Sequence, residues 1–263
     1  MRTFISILAA LCAVGCATQP VEDTSEQDLN LRWVKTAAEY RAITRQIYAS
    51  ATLALPGFIE DSSWSALPHQ VDAGDLPPAV ILDVDETVVS NVDFQLTLIP
   101  PFSNEKHEKW SSETRATPVE GVKDFVDAAR DAGVIVFFVT NRPCKPKEGI
   151  EDPCPQRQTT IEDIGEVGIH TDADHVFLSD ERGWNREKIT RRKHVAENYR
   201  VIMLFGDDLG DFISCVRRKA YSPCTNVATI QSRLTSVDLF DDYWGNGWYV
   251  LPNPMHGSWT TVE

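Results

Sequence analysis

Four short apolar runs, each ending in polar residues, constrain this chain more than any other feature. They fall at residues 79–82, 134–139, 175–178 and 201–205. Runs that are apolar on both faces suit strands of a parallel sheet covered by helices on both sides. Amphipathic stretches lie between them. Residues 118–132 place Val119, Val122, Phe125, Val126 and Ala129 on one helical face, with Gly133 as a stop. Residues 159–167 and 186–199 also read as helices. This alternation predicts an α/β fold, a Rossmann-like parallel sheet with helices on both faces. Upstream, Leu31, Val34, Ala38, Ile43, Ile47 and Ala51 recur at helical steps over residues 29–55, and Pro56-Gly57 is expected to end that helix. Residues 60–78 read as loop. The expected organisation is a helix and loop at 29–78 packing on the flank of a catalytic domain at 79–263, with a small cap inserted at about 92–118.

In such sheets ligands bind beyond the carboxyl ends of the strands. The first run leads into Asp83-Val84-Asp85-Glu86-Thr87, the second into Thr140-Asn141-Arg142, and the fourth into Gly206-Asp207-Asp208-Leu209-Gly210-Asp211. Carboxylates, a hydroxyl and a guanidinium are thus delivered to one edge. Two carboxylates two residues apart can divide phosphoryl transfer. Asp83 can attack phosphorus and carry an aspartyl phosphate, while Asp85 protonates the leaving oxygen and then deprotonates water. Asp83 and Asp207, with the backbone carbonyl of Asp85, offer oxygen ligands to one Mg2+. Lys188 can neutralise phosphoryl oxygens from a predicted helix, and Thr140 can donate to them. A calcium loop over residues 83–88 is disfavoured, because an apolar strand precedes it and Val88 stands at its sixth position.

The start of the chain reads as an address. Residues 1–15 carry Arg2 and an apolar core too short to cross a bilayer, followed by Cys16. The segment 13–16 resembles a bacterial lipoprotein signal, which implies lipidation of Cys16 and a polar tether over 16–28. Ala17 after the Cys implies the outer membrane of the cell envelope, with membrane attachment through lipid only. The mature chain would have 248 residues of the 263, and losing Arg2 takes the formal charge from -14 to -15. Such a balance argues against nucleic-acid polymers as partners. Four cysteines then remain, Cys144, Cys154, Cys215 and Cys224, in two sequence-local pairs. Spacings of ten and nine residues are too wide for a zinc knuckle, so two small disulfide loops are expected.

Together these residues resemble the haloacid dehalogenase superfamily, and within it the class C bacterial acid phosphatases. That family is made of surface lipoproteins and includes nucleoside 5'-monophosphate hydrolases. The matching pieces are Ile81 to Thr87 with Asn91 and Phe94, then Thr140-Asn141-Arg142, then Lys188 with Arg191, then Gly206 to Phe212. A last piece is Leu251-Pro252-Asn253-Pro254 with Gly257 and Trp259. The resemblance implies phosphomonoesterase activity with an acid optimum, a small phosphate-ester substrate and a homodimer. It implies Asp208 and Asp211 as supports behind the metal. It also implies Asn141, Arg142, Phe94, Trp110, His256 and Trp259 around the substrate, the aromatics forming a slot for a base or aromatic leaving group. Phe94, Asp208 and His256 stand where the family commonly has Tyr, Asn and Tyr. Trp244 and Trp248 read as packing residues, and His69, His107, His170, His175 and His194 as surface or loop residues. Two other functions fit the same acidic edge: a non-catalytic metal- or ligand-binding surface lipoprotein, and a phosphotransferase.

Overall fold

The central sheet is built from the four apolar runs and a fifth strand. Its strands are β1 (Pro78–Leu82), β4 (Ile135–Pro143), β5 (Val176–Ser179), β6 (Arg200–Gly206) and β7 (Trp248–Val250). The computed structural model describes residues 26–113 and 117–263. Residues 1–25, with Cys16 and the expected signal segment, lie outside the described residues. All four strand pairings are parallel, in the order β5-β4-β1-β6-β7. The chain winds outward from β1 through β4 to β5, then returns to the other side of β1 for β6 and β7. The order therefore reverses beside β1, which opens a crevice at the carboxyl ends of β1 and β6.

Pleating divides the core between two layers. Val80 and Leu82 of β1 and Val136 and Phe138 of β4 face α2 (Ala38–Glu60), α5 (Val122–Asp131) and α6 (Pro155–Glu166). Ala79, Ile81, Phe137 and Val139 face the other layer, with Val195 of α7 (Ile189–Ala196), Phe212 and Trp248. A register shift lies between β1 and β6, where Ala79 pairs with Val201 but Val80 with Met203. The skipped Ile202 carbonyl accepts from the Trp64 indole at 3.0 Å. Trp248 is 1% exposed and Trp244 packs against it, so both are packing residues. Strand β7 is not among the expected strands: its apolar run, 248–251, follows Gly245 and Gly247 and opens on a tryptophan that reads as packing.

Between β1 and α5 lies an insert. Strands β2 (Val89–Ser90) and β3 (Thr117–Pro118) pair antiparallel at its base, and it carries α3 (Val92–Thr97) and α4 (Asn104–Glu113). The last helix is α8 (Ile230–Leu239). No described helix is long and apolar enough to cross a membrane.

The N-terminal helix differs from expectation at three points. It begins at Glu26, inside the segment read as tether, as α1 (Glu26–Thr36). It breaks at Ala37, which is extended at ψ 128°, so that α1 can pack on α3 through Leu31, Val34 and Val92. It then runs through Pro56 to Glu60. Proline removes one helical hydrogen bond. The end of the helix is secured by a tertiary cap: Arg200, 3% exposed, donates to the carbonyls of Phe58, Ile59, Asp61 and Trp64 at 2.8–3.2 Å. The expected helix at 118–132 is shortened to α5 because Pro118 belongs to β3 and Gly121 turns at φ 93°. The helix expected at 186–199 is shortened to α7, with Lys188 as its N-terminal cap residue rather than inside it.

Both expected disulfides are present, Cys144–Cys154 and Cys215–Cys224. Arg200→Ala leaves several helix-end carbonyls without donors and is expected to destabilise the fold by about 2–4 kcal/mol. Denaturant unfolding measures this, and a change within about 0.5 kcal/mol would show that water replaces the guanidinium.

Candidate active site

Asp83 leaves the sheet where β1 ends, its amide still donating to Phe205 O at 2.9 Å. A tight turn follows. Val84 O accepts from the amides of Val88 and Val89 at 2.8 and 3.0 Å, and Glu86 takes the left-handed conformation at φ 60°. Tyr48, buried on α2, donates its hydroxyl to Thr87 O at 2.8 Å. The helix read as flanking the core therefore holds the loop that carries Asp83 and Asp85. Strand β6 ends at Gly206, over which the Asp211 carboxylate folds; a Cβ there would lie 2.2 Å from Asp211 Oδ2. Only glycine permits that approach. Asp207 follows directly.

One carboxylate oxygen from each of Asp83, Asp207 and Asp211 lies within 4.8 Å of the other two. Lys188 ion-pairs with Asp83 and lies 2.7 Å from Asp211 Oδ1. Burial pushes the Asp83 carboxyl above its ordinary value, with Asp211 and Asp85 adding to the shift and Lys188 opposing it. Burial also raises Asp207, reinforced by Asp83 and Asp211. One ammonium thus faces three crowded carboxylates. Hard oxygen donors with an excess of negative charge fit a divalent cation, and Asp83 and Asp207 would hold it. Asp211, assigned a supporting position from the sequence, stands in the cluster itself. The Asp85 carboxylate stands apart from it.

Asp85 is held by another group. Arg142 Nη2 lies 2.7 Å from Asp85 Oδ1 and Arg142 Nε 3.1 Å from both Asp85 oxygens. Asn91 Nδ2 donates to Asp85 Oδ1 at 3.0 Å. Burial disfavours ionisation of Asp85, but Arg142 together with His107 and Asn91 overcomes it and holds the carboxyl well below the usual carboxylate range. Arg142 thus favours the carboxylate form of Asp85, the form in which it could deprotonate a water. Thr140, fully buried, aims its hydroxyl at Asp85 Oδ2 across 3.5 Å and accepts from the Arg142 amide at 3.1 Å. Arg191, buried, donates to Thr140 O and, at 2.8 Å, to Asn141 Oδ1. Arg192 holds the Asp211 carbonyl at 2.5 Å.

These residues floor a cavity of about 1050 Å³. Asp83, Asp85, Thr140, Asn141, Arg142, Lys188, Asp207, Asp208, Asp211 and His256 all line it. Three of the expected substrate contacts do not. Phe94 is buried behind the wall at 3% exposure, and Trp110 stands beside it with ring centroids 5.7 Å apart. Trp259 points to solvent at 44% exposure, its indole donating to His256 O. The aromatic wall is formed instead by His107 and Phe102, which Phe94 and Trp110 back. His107, read as a surface residue, is mostly buried, 3.1 Å from Asn91 Oδ1 and 3.9 Å from Asp85 Oδ1. Asp208 explains its own departure. Its side chain caps the turn at Gly210 N, accepts from Ser258 N and Oγ at 2.5 and 2.9 Å, and lies 3.6 Å from Arg217. Its charge is neutralised there, and it anchors the C-terminal segment. Asn253 Nδ2 donates to Asp207 Oδ2 at 2.7 Å, and His256 Nε2 lies 3.6 Å from Glu86 Oε1.

The sheet order and the acidic edge define a haloacid dehalogenase-like hydrolase. More narrowly, residues 10–259 match the family described as HAD superfamily, subfamily IIIB (Acid phosphatase), and the chain belongs to that family. It is accordingly a phosphomonoesterase. The class C acid phosphatase of Bacillus anthracis is similar in fold, with a TM-score of 0.70 at 24% identity, covering 89% of this chain and 86% of that one. The structure of that protein with tungstate bound gives 0.69 at the same identity and coverage.

Asp163 was not legible in the sequence, being one acid among several on a helix. Buried on α6, it receives both the second arm of Arg142 and the Ser111 hydroxyl of α4. It therefore ties the Asp85 clamp to the cap. Asp163→Asn is expected to lower kcat/KM by on the order of tenfold or more through misplacement of Arg142, and Ser111→Ala by less. Steady-state kinetics on a phenyl phosphate provides the check; equal effects of the two would place the role in cap docking alone.

Proposed function

We propose that this acid phosphatase is exported and lipid-anchored at Cys16 in the outer membrane. We propose further that it hydrolyses nucleoside 5'-monophosphates and aromatic phosphates with one Mg2+ per site, through an aspartyl phosphate on Asp83. The observation that carries the catalytic reading is the convergence of Asp83, Asp207, Asp211 and Lys188 on the floor of the cavity. The bound cation would supply charge against the repulsion between carboxylates and phosphate.

An Asp83 oxygen attacks phosphorus as the ester oxygen departs. Lys188, already against Asp83, balances charge on the phosphoryl oxygens. Asp85, once freed of Arg142, takes up a proton from solvent and passes it to the departing oxygen. Arg142 must first release Asp85, and its other arm already rests on Asp163. A water then attacks phosphorus, Asp83 leaves, and Asp85 recovers a proton from that water. The net reaction consumes one water and yields alcohol and inorganic phosphate. In the second half Asp85 acts as a base, the state in which Arg142 holds it.

Support for an aromatic leaving group comes from His107 and Phe102 on the cavity wall, their ring centroids 6.4 Å apart. A base can stack there. The phosphotransferase and binding-protein readings lack an observation of comparable weight.

Three outcomes are expected. Phosphate release from nucleoside monophosphates and p-nitrophenyl phosphate requires a divalent cation, stops with chelator and returns with magnesium. Asp83→Asn lowers kcat by more than about a thousandfold with the fold intact by circular dichroism; appreciable turnover in that variant would remove Asp83 as nucleophile. His107→Ala raises KM for nucleoside monophosphates about tenfold and for a short alkyl phosphate much less, whereas parallel increases would discard the stacking wall. Separately, Cys16→Ala is expected to move the protein from the membrane fraction to the soluble fraction of the envelope.

A further inference from the structure

The cavity has a second charged wall that the reaction at Asp83 leaves unused. It is made of Arg186 and of Arg217, Arg218, Lys219 and Tyr221, with Asp208 as its carboxylate. The chain as a whole carries a formal charge of -14, so four cations against one acid on a cavity wall is a local reversal. The wall is also a held structure. The Cys215–Cys224 disulfide closes the loop that carries the three consecutive basic residues. Asn185, next to Arg186, donates to Ser222 O at 2.8 Å, and Cys215 N donates to Glu187 Oε2 at 3.2 Å. The loop is thus fastened to the segment that delivers Lys188 to the reaction centre.

The cations are not equally occupied. Arg217 faces Asp208 at 3.6 Å. Arg186, half-buried, and the exposed Arg218 and Lys219 have no carboxylate within ion-pair distance among the described residues. Lys219 lies over the Tyr221 ring at 5.0 Å. Burial together with the neighbouring Arg217 charge pushes Arg186 below its ordinary value. Asp180 and Asp208 attract Arg186 only from beyond ion-pair distance, so this partly desolvated guanidinium is incompletely compensated, and its cost falls when an anion arrives.

We infer that the preferred substrate is a phosphomonoester whose leaving group carries a second anionic group, a phosphate or carboxylate, held by Arg186, Arg218 and Lys219. This inference rests on phosphomonoester hydrolysis at the Asp83 cluster. It differs from simple electrostatic steering, which would favour every phosphate ester alike.

The test uses the full enzyme with magnesium and matched substrates. One series is ω-carboxyalkyl phosphates of increasing chain length, each against the alkyl phosphate of equal length. The other compares adenosine 5'-monophosphate with adenosine 3',5'-bisphosphate, assaying release of the 5'-phosphate. The readout is the kcat/KM ratio of the doubly anionic to the singly anionic member. The ratio is expected to peak at one chain length, or in the bisphosphate pair, at about tenfold. It should collapse toward one in Arg186→Gln and in the double variant Arg218→Gln, Lys219→Gln. Melting curves verify folding, and the exposed pair is a substitution the fold should tolerate. A carboxylate preference without a bisphosphate preference, or the reverse, names which anion the subsite takes. A ratio near or below one at every length and in the nucleotide pair would overturn the subsite while leaving the phosphatase reading intact. So would variants that slow both members equally, as steering requires. Turnover of neither member would overturn the subsite together with the reading beneath it.

Discussion

Three carboxylates, buried Asp83 and Asp211 with partly buried Asp207, share one edge of the sheet, and their mutual repulsion is the constraint around which the rest is arranged. Like charges this close are tolerable only with compensating cations and fixed backbone. Lys188 supplies one charge directly. Other cations act on the loops instead. Arg191 holds the carbonyl of Thr140, and Arg192 that of Asp211. Each is nearly or fully buried, and each fixes a strand-end loop rather than pairing with its carboxylate. The backbone that carries the carboxylates is thus fixed by hydrogen bonds that need no ligand, which favours transition-state charge stabilisation.

The same logic assigns a role to the N-terminal helices. Tyr48 of α2 closes on the carbonyl of Thr87, and Arg200 of β6 caps the far end of that helix. One helix therefore spans from the catalytic loop to the base of the neighbouring strand. At the other end, α1 packs on the cap helix α3, with Lys35 paired to Asp93 at 2.6 Å. Helices that precede the catalytic domain in sequence belong to it mechanically.

Much of this was legible in the sequence because its signals are local. The residues after β1 and β6 announce the acidic edge, since strand ends in such a sheet can go nowhere else. That the four remaining cysteines form disulfides is legible in their even count and spacing. Other parts were hidden because their meaning is tertiary. Pro56 reads as a stop until Arg200, far away in sequence, is seen to cap the turn beyond it. His107 and Asp163 are single polar residues on helices, with nothing in their neighbours to mark them as wall and clamp. The reverse error befell Trp110 and Trp259, whose size and position in the motif order suggested contact with substrate. Packing behind Phe94 claims the first and solvent the second.

We propose that Asp83, the carboxylate crowded by Asp207 and Asp211, takes the phosphoryl group. The direct measurement is peptide mapping by mass spectrometry of enzyme quenched in acid during turnover. One phosphoryl group is expected on the peptide containing Asp83, fragmenting to Asp83 itself and removable by hydroxylamine. A phosphoryl group on any other residue, or its complete absence while a pre-steady-state burst of alcohol is observed, would contradict it.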